Sequence, residues 1–242
     1  MDSRIRLAER EDSDGHIGAE VRVLRERLRG GQLDPSRVAV SAALGCAAAI
    51  AIGLPQLDLP PAEATSRESE RAIEAVRRGD PGAPDLIDSV VGAYGRRVVA
   101  CIAPLAAHEQ VAFALDCVRR TADYVGEAHL SCLSSCLRYA EVWLETKSLP
   151  PQGRSAGEAA NDLGLELAGL VDEDATTSEA NSARALWSAA SLIEALGDSS
   201  QVGTQALANA IDHAQKGAVD QDAELAWQTS RLVAYLLFPE SL

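Results

Sequence analysis

Apolar side chains recur at three- and four-residue intervals along this chain, the spacing that places them on one face of a helix. Ile17, Val21, Leu24 and Leu28 form the first such stripe, and Gly30-Gly31 stops it. Residues 1–15 are polar and of mixed charge, and read as a loose arm or a frayed helix. Asp34-Pro35 opens the next helix: a carboxylate at the cap, then proline at the first helical position, where its missing N–H has no partner to lose. That helix runs to Leu44-Gly45, and a short one follows to Gly53. Three prolines within residues 54–65 predict an elbow. A helix over 66–78 carries Ala72, Ile73 and Val76 on one face. The run Gly79-Asp80-Pro81-Gly82-Ala83-Pro84 is the sharpest break. It predicts a small N-terminal helical portion over 1–80 and a larger helical bundle over 81–242.

Beyond that break the pattern predicts long helices with short turns, over 86–103, 110–125, 127–147 and 156–171. Thr176 and Glu179 make a capping box for a helix ending at Leu196-Gly197, and two more run over 202–215 and 220–238. Short connections between such helices favour antiparallel neighbours. The fold class is therefore all-α: an irregular antiparallel bundle or helix-pair array of about ten helices. Trp187 and Trp227 close similar segments 40 residues apart, the spacing of a helix-pair repeat. Trp143 lies 44 residues before Trp187 in unlike surroundings, which favours the irregular bundle.

Composition adds to this. Hydrophobic residues make up 47% of the chain but aromatics only 4%, so the core is built from Ala, Leu, Val and Ile. Small side chains let helices approach closely. The strongest apolar run, Val38 to Leu54, is interrupted by Gly45 and is shorter than the roughly 20 residues a bilayer span needs. The N-terminus, Met1 to Arg6, has no apolar signal segment. The odd count of five cysteines at irregular spacing gives no disulfide framework, and the expected location is cytoplasmic.

Charge is uneven. The net charge is −14, yet residues 1–80 hold 12 Arg against 14 acids, so nearly all of the excess falls in 81–242. A surface that negative repels nucleic acid and anionic membrane and attracts basic proteins. Candidate acids are Glu158, Asp162, Glu166, Asp172, Glu173, Asp174, Glu179, Glu194, Asp212, Asp220, Asp222 and Glu224. The leading partner-binding set is Asp172, Glu173, Asp174, Glu179, Asp220, Asp222 and Glu224, with Trp187 as anchor. Trp143, Trp227 and Tyr235 are further anchors if exposed. The plainer role of the same charges is solubility.

Catalytic and metal-binding patterns are sparse. His129, Cys132 and Cys136 fall on one helical face, and Cys101 and Cys117 lie on the two preceding helices. Convergence would give zinc its four ligands, but no CxxC spacing occurs and buried cysteines often serve as small core residues. Cys101 or Cys117 with His108 or His129, oriented by Asp116 or Asp123, would be the nucleophile–base pair; no protease signature surrounds them. No Glu-x-x-His pair exists for a di-iron bundle, and no glycine-rich phosphate loop occurs. Arg22, Arg25, Arg27 and Arg29 are interleaved with Glu20 and Glu26, which reads as a solvated helix face before an anion site. No metal, cofactor or catalysis is expected.

The stretch from Leu24 to Gly45 pairs an arginine-rich helix, a Gly-Gln-Leu turn and a small-residue helix ending in Leu-Gly. It resembles a helix-hairpin segment common in bacterial proteins of GC-rich genomes, and the bias of 20 Arg to two Lys agrees. The Ala-rich helices that follow, including Glu70 to Val76, are similar to helical immunity proteins of bacterial toxin systems. That resemblance implies an all-α, non-catalytic inhibitor that covers a toxin's active site. The expected function is binding of a basic protein through an acidic helical surface. A helical scaffold or adaptor is the alternative, then a thiol or metal enzyme, with self-association left open.

Overall fold

The computed structural model describes residues 3–55, 57–59, 78, 96–169, 178–197 and 202–239, with residues 3–15 described by backbone alone. Among the described residues every element is helical and no strand occurs. The helices are α1 (Ser3–Arg29), α2 (Pro35–Ala43), α3 (Ala47–Ile52), α4 (Ala107–Arg120), α5 (Leu130–Thr146), α6 (Pro151–Gly169), α7 (Ser178–Leu196), α8 (Thr204–Gly217) and α9 (Gln221–Leu237). Residues 96–102 are also helical, and 3₁₀ turns at Thr121–Tyr124 and Glu127–His129 lead from α4 into α5. Of the expected helix over 66–78 only Arg78 is described, as helical; its other residues, the break at 79–84 and the Thr176 cap lie outside the described residues. No described helix is long and apolar enough to cross a membrane.

The chain forms two compact units, Met1–Leu59 with Thr229–Leu242, and Pro60–Gln228. In the first, the helix predicted from Ile17 begins much earlier: α1 starts at Ser3, so of the two readings of the polar N-terminal segment, loose arm or frayed helix, the backbone is helical. Val21, Leu24, Val38, Val40, Ala48 and Ala49 are buried there. The Asp34 carboxylate accepts from the Ser36 N–H at 2.8 Å and the Ser36 hydroxyl at 2.7 Å, with Pro35 at the first helical position. These bonds hold the Asp34 carboxyl below its ordinary range. The arginine-rich face of α1 proves partly structural. Arg27 donates to the Leu237 carbonyl at 2.6 Å, and Arg37 to the Tyr235 carbonyl at 3.5 Å. Cations thus sit on the last carbonyls of α9, which lack helical donors and carry the negative end of the dipole.

In the second unit α7 is the central helix. Ala183, Ala185, Leu186, Ala189, Leu192, Ile193, Ala195 and Leu196 are all buried, a pattern that wraps most of its circumference. It packs against α4, α5, α6 and α8. Each fully buried leucine contributes about 2 kcal/mol by removal from water. Glu109 Oε2 accepts from the Ala106 N–H at 2.6 Å, which starts α4 three residues before the position the apolar spacing suggested. α6 likewise begins at Pro151, so the second proline opens this helix, while α5 has already ended at Thr146 with Lys147 in the left-handed region.

Candidate functional site: an acidic groove between two helices

α6 lies along α7 through a seam of small residues. Gly153, Gly157, Ala160, Gly164 and Leu167 are buried at alternating four- and three-residue spacing, which makes one continuous stripe. A Cβ at Gly157 would meet Ile193 Cγ2 at 2.7 Å, and one at Gly164 would meet Trp187 Nε1 at 2.6 Å. Arg154 donates to the Gly197 carbonyl at 3.3 Å. Residue 154 therefore pairs with 197, 157 with 193 and 164 with 187, so the two helices run antiparallel at close range. Only glycine permits that approach at 157 and 164.

Beside the seam the two helices bound a groove of about 920 Å³. Its floor is Gly157, Trp187, Ala190 and Ile193; His213 of α8 and Leu149 contribute at the edges. The α6 wall presents Glu158, Asn161, Asp162 and Leu165, and the α7 wall Ser191 and Glu194. Leu165 is 57% exposed, which is high for a leucine beside an aromatic floor. Trp187 rests its indole edge on Gly164 and meets the His213 ring at 5.8 Å between centroids, tilted by 52°. Burial pushes the His213 pKa down, partly opposed by the neighbouring Asp212 carboxylate, and Lys216 and Arg184 push the same way as burial. The imidazole is therefore neutral at pH 7.

Glu158, Asp162 and Glu194 are exposed, and none has an ion-pair partner among the described residues. Arg154, the one Lys or Arg on the lining among the described residues, has a guanidinium nitrogen on the Gly197 carbonyl. The groove is thus acidic on both rims and aromatic below.

The sequence-predicted residues fall elsewhere, with one exception. Trp187 lines the groove as an anchor would. Glu224 does not belong to an acidic face: it is 2% exposed, and its carboxylate accepts from Arg120 Nε at 2.9 Å and Gln228 Nε2 at 3.2 Å. It reads as surface in sequence because Asp220, Gln221 and Asp222 lie just before it, but the first turn of α9 buries it. Asp212 is likewise buried, with Oδ2 on Lys216 at 2.7 Å. Glu179, Asp220 and Asp222 are exposed and lie off the groove, and Asp220 Oδ1 accepts from the Ala223 N–H at 2.9 Å at the start of α9. Asp172, Glu173 and Asp174 lie outside the described residues. Trp143 and Tyr235 are buried, and Trp227 is covered by the Arg120 guanidinium 4.2 Å above its ring. The three groove carboxylates stood among the wider set of acids. The four-residue spacing of Glu158 and Asp162 is legible in the chain, but the apposition of Glu194 follows only from the antiparallel packing of α6 on α7.

The thiols do not gather. Cys101, Cys117 and Cys136 are buried, while Cys46 and Cys132 are partly accessible. Cys136 donates to the Ala156 carbonyl at 3.4 Å. Burial pushes the Cys101 thiol up to about 11 and the Cys136 thiol up to about 12, and raises Cys132 as well. Cys101 and Cys136, so held, are protonated at neutral pH and act as core side chains. No three His, Cys, Asp or Glu side chains among the described residues are placed to hold a metal ion, His129 included. No protein-family model matches this chain, and no curated protein or solved structure was found to match it.

Proposed function

We propose that this chain is a non-catalytic protein-binding protein that recognises a basic partner through the groove between α6 and α7. The observation that carries the reading is the set of three exposed, unpartnered carboxylates, Glu158, Asp162 and Glu194, along both rims of a groove floored by Trp187. Aromatic anchors at a groove centre supply binding energy, and a charged rim supplies association rate and selectivity. The net charge of −14, of which the groove carboxylates are part, adds long-range attraction for a cationic protein. The finer form of this reading is an inhibitor of the immunity type, its partner a toxin whose active site it covers.

The test is capture from native lysate by the full chain and by E158Q/D162N/E194Q, at low and moderate salt. A second triple variant, D123N/E127Q/E145Q, removes the same charge from exposed positions off the groove. The expected result is one basic protein held by the wild type and the second variant, released by salt and lost with the first. That protein is then purified and its affinity measured directly. Equal loss from both triple variants overturns the reading, because binding would then follow net charge and not the groove; equal retention by all three chains overturns it too, because the groove carboxylates would then contribute nothing.

A further inference from the structure

The geometry points to an amphipathic basic α-helix as the occupant of the groove between α6 and α7, laid in as a third helix; this rests on the binding function proposed above. Three observations carry it. First, the α6 wall from Arg154 to Leu165 spans 11 residue steps, so the groove runs roughly 16 Å, the length of a three-turn helix. Second, the walls are both helices, whose backbone groups are bonded within their own turns, and no strand edge exists among the described residues. An extended peptide would lay its N–H and C=O groups against Trp187, Ala190 and Ile193 with few partners, whereas a helix satisfies its own. Third, the charges have helical periodicity. Glu158 and Asp162 are one turn apart, and Glu194, near residue 157 in the antiparallel register, faces Glu158 from the opposite rim. Lys or Arg at positions i and i+4 of a docked helix would meet them turn for turn. A large apolar residue one turn beyond those cations would cover Leu165, 57% exposed, and the Trp187 indole, which lies opposite residue 164.

Three 14-residue peptides, each roughly 21 Å long when helical, separate the possibilities. One carries leucines at helical spacing with lysines flanking them. The second has the same composition with leucine at every other position, amphipathic only as a strand. The third is oligolysine. Binding to the full chain is followed by calorimetry, and peptide helicity by circular dichroism. The helical pattern is expected to bind at least about tenfold more tightly than the other two, a difference worth about 1.4 kcal/mol, and to gain helicity on binding. E158Q/D162N/E194Q should weaken it about tenfold, while D123N/E127Q/E145Q leaves it unchanged. Equal binding of the alternating peptide, or binding without gain of helicity, overturns the helix inference. Equal binding of oligolysine overturns it too but leaves the acidic-groove reading standing. Binding of none of the three overturns both.

Discussion

Gly164→Ala tests whether α6 and α7 approach as closely as the groove requires. The new Cβ would stand 2.6 Å from Trp187 Nε1, 2.7 Å from Trp187 Cδ1 and 3.3 Å from the Ala183 carbonyl oxygen. An indole cannot swing aside by rotating one bond at its far end, and its other neighbour is the His213 ring at 5.8 Å. Two effects oppose. Alanine in place of a helical glycine stabilises by about 1 kcal/mol. Overpacking a tight contact costs about 1–3 kcal/mol, and two contacts below 3.0 Å against a rigid ring place this site in the upper part of that range. The net expectation is a loss of about 1–2 kcal/mol, or about 2–8 °C in melting temperature for a unit of this size. Gly18→Ala is the control. Gly18 lies within α1 and a Cβ there meets nothing within 4 Å, so that substitution should stabilise by about 0.5–1 kcal/mol. Thermal unfolding by circular dichroism measures both, and tryptophan emission reports whether the indole has moved. A Gly164→Ala chain as stable as Gly18→Ala would refute a close approach of α6 to Trp187 at this position.

Arg120→Ala strips the cation from Glu224, which at 2% exposure cannot be rescued by water, and should cost about 3 kcal/mol in urea unfolding. Arg120→Ala with Glu224→Gln should cost less than Arg120→Ala alone; the reverse order would mean that the carboxylate is solvated. At pH 8, Cys132 and Cys46 should react with a thiol reagent in the native chain while Cys101, Cys117 and Cys136 react only on unfolding; prompt labelling of all five would contradict their burial. The raised thiols also set an alkaline limit. The ordinary thiol value is 9.0, and the folded values are about 11 for Cys101 and about 12 for Cys136. Above pH 9 the unfolded chain releases protons that the native chain keeps, so stability should fall from there to about pH 12, and Cys101→Ala with Cys136→Ala should flatten that fall. Asp34→Ala should cost about 1 kcal/mol through the lost α2 cap, read as faster amide exchange at Ser36.

Local chemistry determined much of this protein. Apolar periodicity fixed the helical class, because a stripe at 3.6-residue spacing can be buried only by a helix. Asp34-Pro35 fixed the start of α2, since the cap bonds lie within two residues of each other. Tertiary structure decided the rest. A core made mainly of alanine and leucine leaves several faces of each helix nearly equivalent, and the seam through Gly157 and Gly164 was selected by what lay opposite, Ile193 and Trp187. Glu224 and Glu158 are both acids on helices in the sequence; Arg120, 104 positions earlier, draws one inward, and nothing covers the other. Arg27 holds the end of α9 across 210 positions, which joins residues 229–242 to the N-terminal unit. Such pairings depend on which surfaces meet when the chain is packed, and periodicity records only which surfaces need to be covered.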